Sequence, residues 1–169
     1  TRATAAAPDS PALTFFLQGT DYKNTIEYSH RQLLEQINQV ANMFADLGIG
    51  PTDTVSYILP NLPQTYFTLY GGEAAGIANP INPLLEAEQI AAILRETNAK
   101  VLVTLKAFPK TDVAQKAAEA VRLAPNVTHV LEVDLLRYLT GLKRFIVPLI
   151  RPKNPVSHHA KVLDFNAEM

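Results

Sequence analysis

Between Gly48 and Thr104 the chain reads GIGPTDTVSYILPNLPQTYFTLYGGEAAGIANPINPLLEAEQIAAILRETNAKVLVT, short apolar runs alternating with longer stretches of helical spacing. This alternation admits few folds, because strands separated by single helices pair in parallel and need cover on both faces. Val55 to Leu59 is the first apolar run. Pro63 then suits the first turn of a helix reaching about Ala75, where its missing N–H costs nothing. Ile77 to Ile81 contains Pro80, which predicts a strand that lies at an edge or ends early. Glu86 to Asn98 reads as a helix with Ile90, Ile93 and Leu94 inward, and Val101 to Leu105 as a buried strand. Thr111 or Asp112 caps a further helix to about Leu123, and Val127 to Val133 makes another strand. Four strands joined by single helices predict right-handed crossovers and an α/β, doubly wound, mainly parallel sheet with helices on both faces.

The flanks differ. Residues 1–11 are small, polar and proline-containing, a loose lead-in to an α/β unit spanning 12–134. Ala12 to Leu17 and Asn24 to Tyr28 predict two short paired strands, with Gly19 and Asp21 in the turn. Ser29 followed by Gln32 is a capping-box pattern. The helix it opens places Leu33, Leu34, Ile37, Val40, Ala41 and Phe44 on one face, and Gly48 ends it in the C′ position. After Asp134, residues 135–150 read as one basic amphipathic helix. Leu135, Tyr138, Leu139, Leu142, Phe145, Ile146 and Leu149 share an arc, and Arg137, Lys143 and Arg144 lie on or beside the opposite one. Pro148 bends or ends it. Residues 151–169 read as a connector.

Composition mainly excludes. With 169 residues and 47 % hydrophobic content the chain suits one domain with a real core. A net charge of −1 gives no general attraction to nucleic acid or anionic lipid, so any basic feature is local. Without cysteine there is no disulfide, no Cys-ligated zinc and no thiol catalysis. Thr1 to Ala7 lacks a charged region followed by an apolar one, and no uninterrupted apolar run reaches spanning length. A soluble, cytoplasmic protein is expected, with peripheral attachment to a membrane left open.

No strand is followed by Gly-x-Gly-x-x-Gly, and no Gly-x-x-x-x-Gly-Lys-Ser/Thr occurs. Gly71-Gly72 lies inside a helical pattern and suits close helix packing. His158-His159 has no second ligand pair nearby, and His30 and His129 are isolated, so no metal site is assigned. Glu86 and Glu88 occupy a first helical turn, where they complement the dipole. Leu59-Pro60-Asn61 and Asn79 to Pro83 follow strands, at the end of a parallel sheet where ligands bind, though stiffening of the strand–helix junctions is the preferred account of them. The 135–150 segment could lie in a membrane interface through Arg137, Lys143 and Arg144, or pack its apolar face on the body of a larger protein.

An ordered set of short motifs adds a family likeness. It comprises Pro8-Asp9-Ser10-Pro11-Ala12-Leu13, Ile26-Glu27-Tyr28-Ser29, Asn38 to Leu47 before Gly48-Ile49-Gly50-Pro51-Thr52-Asp53, Leu59-Pro60-Asn61, Gly76, Asn79 to Pro83, Glu88-Gln89-Ile90 and Ala99 to Val103. In this order and spacing the chain resembles the opening portion of AMP-forming acyl-CoA synthetases, members of the adenylate-forming superfamily. The basic segment after Asp134, Pro152 and Asp164-Phe165-Asn166 resemble the long-chain fatty-acid branch. A basic residue common in that family after Gly-Asp is absent at Asp53-Thr54. The resemblance implies an ATP-dependent ligase: a fatty-acid carboxylate attacks the ATP α-phosphate, and the thiol of coenzyme A then displaces AMP, with Mg²⁺ required. The family's Ser/Thr/Gly-rich phosphate loop, adenine motif, ribose-binding Asp and mobile-domain Lys have no counterpart here. No catalytic, cofactor-binding or metal residue is therefore carried over, and the segment alone is expected to be inactive and to bind no cofactor. The implied partners are fatty acid, coenzyme A and the rest of the same polypeptide, together with self-association through uncovered apolar surface. The rival is a non-catalytic binding or membrane-surface module that kept only this sheet.

Overall fold

A computed structural model describes residues 1–153 and 156–169. Its centre is a sheet of five strands, β3 (Thr54–Ile58), β4 (Ile77–Pro80), β5 (Ala99–Leu105), β6 (His129–Val133) and β7 (Lys161–Asp164). They lie in the order β4-β3-β5-β6-β7, and every adjacent pair is parallel. A separate antiparallel pair, β1 (Pro11–Phe15) and β2 (Ile26–Ser29), forms the expected hairpin.

The pleat explains why both faces are apolar. Val55, Tyr57, Val101, Val103, Leu131 and Val133 point into one core with α2 (His30–Asp46) and α3 (Pro63–Ala75). Ile58, Leu102 and Val130 point to the other, with α4 (Ala87–Glu96) and α5 (Val113–Arg122). The doubly wound expectation holds.

Local signals act as their chemistry requires. At Ser29 the capping box closes in both directions: its Oγ accepts from Gln32 N at 3.2 Å, and its N–H donates to Gln32 Oε1 at 2.9 Å. Gly48, at φ +80°, ends α2 while Gly48 N bonds Ala45 O and Ile49 N bonds Phe44 O. A Cβ on Gly71 would lie 2.7 Å from Val40 Cγ1, so the glycine lets α3 approach α2. β4 is a sheet edge that stops at Pro80, as its prolines predicted.

Three expectations need correction. The lead-in is ordered: α1 (Arg2–Ala6) is capped by Thr1, and Pro8 O and Ser10 O accept from Arg31 N and His30 N at the start of α2. The single helix over 135–150 does not form. A 3-10 turn over Leu135–Tyr138 gives way to extended Leu139 and left-handed Gly141 at φ +58°. Only then come the four-residue α6 (Lys143–Ile146) and a second 3-10 turn over Val147–Ile150. Leu135 and Leu139 are drawn into the core and Tyr138 packs against it, whereas Leu142, Phe145, Ile146 and Leu149 stay exposed. Finally, the stretch 151–169 carries more than a connector. It supplies β7, registered on His129–Glu132, and then α7 (Phe165–Glu168), whose Phe165 is fully buried. Asn154 and Pro155, inside the same stretch, lie outside the described residues.

Candidate functional site

From β3 the chain crosses to β4 on one side and then returns to β5 on the other, so the winding reverses between β3 and β5. Loops leaving the carboxyl ends of such neighbours diverge and leave a crevice, the usual ligand position in an open α/β sheet. A cleft of about 440 Å³ opens there, walled by Pro60, Pro83, Leu84, Leu105, Phe108, Pro109 and Leu135. Lys110, Thr111, Asp112 and Val113 complete the lining.

Each wall is held by local chemistry. After β3, Thr65 Oγ1 donates to Pro60 O at 2.5 Å and accepts from Leu62 N at 3.3 Å, fixing the Pro60-Asn61-Leu62 turn over α3. After β4, Asn82 Oδ1 accepts from Leu84 N at 3.0 Å, an Asx turn that presents Pro83 and Leu84. Asn79 instead reaches sideways, its Nδ2 donating to Ser56 Oγ on β3 at 2.9 Å. After β5, Lys110 takes φ +67° and Thr111 Oγ1 accepts from Val113 N, turning the chain into α5.

The polar side of the cleft is quiet. Asp112, at the N-cap, pairs with Lys116 at 3.4 Å, and Glu86 at the start of α4 pairs with the same Lys116 at 3.2 Å. The Glu86 hydrogen bond, followed by Asp112, raises the Lys116 ammonium above its ordinary value. Lys110 is thus the cation of the rim, beside an apolar wall. The arrangement can hold an apolar chain and meet a negative group; of its polar lining, the Asp112 carboxylate is paired with Lys116 and the Thr111 hydroxyl accepts from Val113 N.

Away from this lining a polar chain joins distant parts of the sequence. Buried Gln64 accepts from Tyr138 OH at 2.6 Å and donates to Asn166 Oδ1 at 3.4 Å. Burial pushes the Tyr138 phenol up to about 12, against the pull of the Gln64 hydrogen bond. α3, the 135–138 turn and α7 are tied together here. Next along the sheet, Asp134 takes both oxygens to Arg151 at 2.7 and 2.9 Å. Burial also raises the Glu132 carboxyl, with Lys106 and Arg151 acting the other way.

The basic residues singled out by sequence separate. Arg137 lies 5.7 Å from the Tyr138 ring centroid and lines a second cleft of about 340 Å³ with Phe15, Phe16 and Leu17. Lys143 donates to Gln18 Oε1 at 2.9 Å, beside the hairpin. Arg144 sits in α6. Only Lys143 and Arg144 share one element. His159 Nε2 contacts Val127 O at 2.8 Å, while His158 Nδ1 is buried without a partner among the described residues. His129 Nδ1 is 2.9 Å from Thr128 Oγ1. Among the described residues no group of three or more His, Cys, Asp or Glu could hold a metal.

Sequence reasoning passed over Phe108 to Lys110 and Gln64. Phe108-Pro109 directly after a buried strand was the available signal for the first. A buried glutamine has no comparable signature, because its partners lie 74 and 102 residues away.

Comparison with known proteins bears on the family and the fold. Residues 1–154 match a family model described as AMP-binding enzyme. Marinolic acid–CoA ligase of Pseudoalteromonas sp. is 36 % identical over 125 residues, which is 69 % of this chain and 19 % of that protein. Crotonobetaine/carnitine–CoA ligase of Escherichia coli K12 is 39 % identical over 82 residues, 48 % of this chain and 16 % of that protein. The acetoacetyl-CoA synthetase structure from Streptomyces lividans superposes with a TM-score of 0.71 at 23 % identity, covering 98 % of this chain and 23 % of that one. At that identity the superposition speaks for the fold. The chain thus spans about a fifth of the length of the relatives it matches.

Proposed function

The chain belongs to the AMP-binding enzyme family, and from that premise we propose that it is an N-terminal portion of an AMP-forming fatty-acid–CoA ligase. The whole enzyme would activate a fatty acid as its acyl-adenylate with ATP and Mg²⁺, then transfer the acyl group to coenzyme A. The observation that carries the fatty-acid reading is the apolar cleft at the reversal of the winding, where Leu105, Phe108 and Leu135 offer a hydrocarbon chain a dry wall. Lys110 on its rim suits the negative end of such a substrate or of coenzyme A. The residues present bind and orient; the groups that would surround the phosphates belong to the rest of the polypeptide, which is this segment's principal partner. By itself the segment is a scaffold that performs no adenylation. The proposed setting is the cytoplasm, beside a membrane surface, and no described helix is long and apolar enough to cross one.

Two measurements test this. ATP-dependent pyrophosphate release with a long-chain acid should be absent for the 169-residue chain; clear turnover would overturn the scaffold assignment. In the complete gene product, Phe108→Ser should raise KM for a long-chain acid about tenfold, the loss of one well-buried apolar contact, with kcat and the KM for ATP unchanged. An equal rise in the ATP KM would remove the acyl chain from this cleft.

A further inference from the structure

We propose that the outer edge of β6 and the two sockets beside it form a groove for an extended peptide, and that residues 157–169 are its tethered, exchangeable ligand. The inference is independent of the ligase reading and of the cleft after β5.

A strand added to a sheet edge gains affinity from main-chain bonds and specificity from alternate side chains. Lys161 N donates to Thr128 O at 2.9 Å, and β7 then runs parallel to β6, from Lys161 beside His129 to Asp164 beside Glu132. The alternation reaches both cores. Buried Ala160 enters the core under α4 and α5. Phe165, fully buried, enters the one under α2 and α3, with Leu163 half-buried against it. Polar contacts fix the two ends: His159 Nε2 lies 2.8 Å from Val127 O, and Gln64 Nε2 donates to Asn166 Oδ1 at 3.4 Å. Lys161, Val162, Asp164 and Glu168 stay exposed. The groove therefore reads a small residue at 160, an aliphatic one at 163 and a phenyl ring at 165, and leaves the charged positions unread.

The connection to β7 shows why the segment acts as a ligand of the body. The crossovers from β3 to β4, β4 to β5 and β5 to β6 are α3, α4 and α5, and each buries side chains against the sheet. The crossover from β6 to β7 differs. It buries Leu135 and Leu139 at its start, and among the described residues none from Thr140 to His159 is buried. A tether of about twenty residues spans roughly 25 Å on average and holds its cargo at an effective concentration on the order of millimolar. Tether and groove together keep the segment docked, so a free peptide of the same chemistry can compete for its place.

A recognition site for a specific endoprotease, inserted after exposed Lys153, turns the tethered ligand into a free one. After cleavage the released piece should stay with the body through gel filtration. A fluorescein-labelled peptide of residues 157–169, added in excess, should then exchange into the cut protein and show raised anisotropy. Unlabelled competitors rank the sockets. Phe165→Ala in the peptide should weaken competition at least about hundredfold, the loss of a fully buried ring. Ala160→Arg should weaken it at least about tenfold, and Lys161→Ala with Glu168→Ala by less than about twofold. The native, uncut chain gives a readout that no insertion can disturb. Its Lys161 amide, bonded to Thr128 O, should exchange hydrogen at least about tenfold faster than the Thr128 amide, which makes the equivalent bond to Lys100 O at 2.8 Å, because the segment lifts while the body stays closed. Equal exchange at the two amides would overturn the proposal. So would a body that unfolds when the cut piece leaves, or a Phe165→Ala peptide that competes as well as the native one.

Discussion

The sheet body from Thr54 to Val133 and the stretch from Leu135 to Ile150 are both rich in branched and aromatic residues, yet these end in opposite surroundings. In β5, Val101, Val103 and Leu105 enter one core and Leu102 the other, so successive residues are covered from both sides. In the later stretch Leu135 and Leu139 enter the body, while Leu142, Phe145, Ile146, Leu149 and Ile150 remain exposed. Helical spacing in 135–150 announces a shared arc, but the core claims only its first turn. Once Leu139 becomes extended to fill that place, the helix breaks and the remaining apolar residues lose their neighbours. Periodicity thus reports that a face exists without naming what covers it.

The sharpest way to break this comparison is at the end of the chain. Phe165 is buried in the body's core, although it follows the exposed stretch in sequence. Phe165→Ala should therefore cost about 3–5 kcal/mol in urea unfolding, the range for an emptied aromatic site. Phe145→Ala should stay within about 0.5 kcal/mol. Equal losses would mean that 142–150 is packed after all, or that α7 is not.

A smaller contrast separates two glycines. A Cβ on Gly76 would lie 2.5 Å from Asp53 O and 2.7 Å from Gly50 O, backbone atoms fixed by the entry to β3. Gly76→Ala should cost roughly 3 kcal/mol, the upper range for overpacking, because no side chain can move aside. Gly141 meets nothing within 4 Å, and its φ of +58° is the obstacle to a side chain. Gly141→Ala should cost about 1–2 kcal/mol, the strain of the left-handed region alone. A reversed order would show that the 139–141 break carries more of the fold than the sheet edge does.

The legible parts of the molecule were those encoded within a few residues. Ser29 with Gln32, Gly48 after α2, Pro63 at the start of α3 and Pro80 at the end of β4 act through neighbours no more than a turn away. The apolar runs of β3, β5 and β6 were readable because both faces of each are covered. β7 escaped because four residues, two of them charged, give too short a pattern; pairing to β6 and the burial of Phe165 supply what propensity does not. The cleft was half visible. Its Pro60 and Pro83 walls are turn residues, but Phe108 and Leu135 meet only after the sheet has been wound. The same holds for Gln64, Tyr138 and Asn166, whose bonds join three separate regions.

The finest test concerns Glu132, on β6 between Thr104 of β5 and Asp164 of β7. Burial raises its carboxyl above the ordinary value of 4.5, against Lys106 and Arg151, while Asp134 and Asp164 add to the rise. A raised carboxyl means that, between the ordinary and the folded value, the folded chain keeps a proton the unfolded chain has released. Stability therefore falls as pH climbs through that window, and the deficit persists above it. Glu132→Gln removes the titration while keeping the shape. The variant should gain on the native chain as pH rises from below 4.5 to neutrality, by on the order of 1 kcal/mol or less given the partial exposure of the site. Urea midpoints measured across that range check it. A gap that stays constant with pH would mean that Arg151 and Lys106 compensate the buried charge fully, and that the carboxyl edge of β6 is electrostatically as settled as the apolar body beneath it.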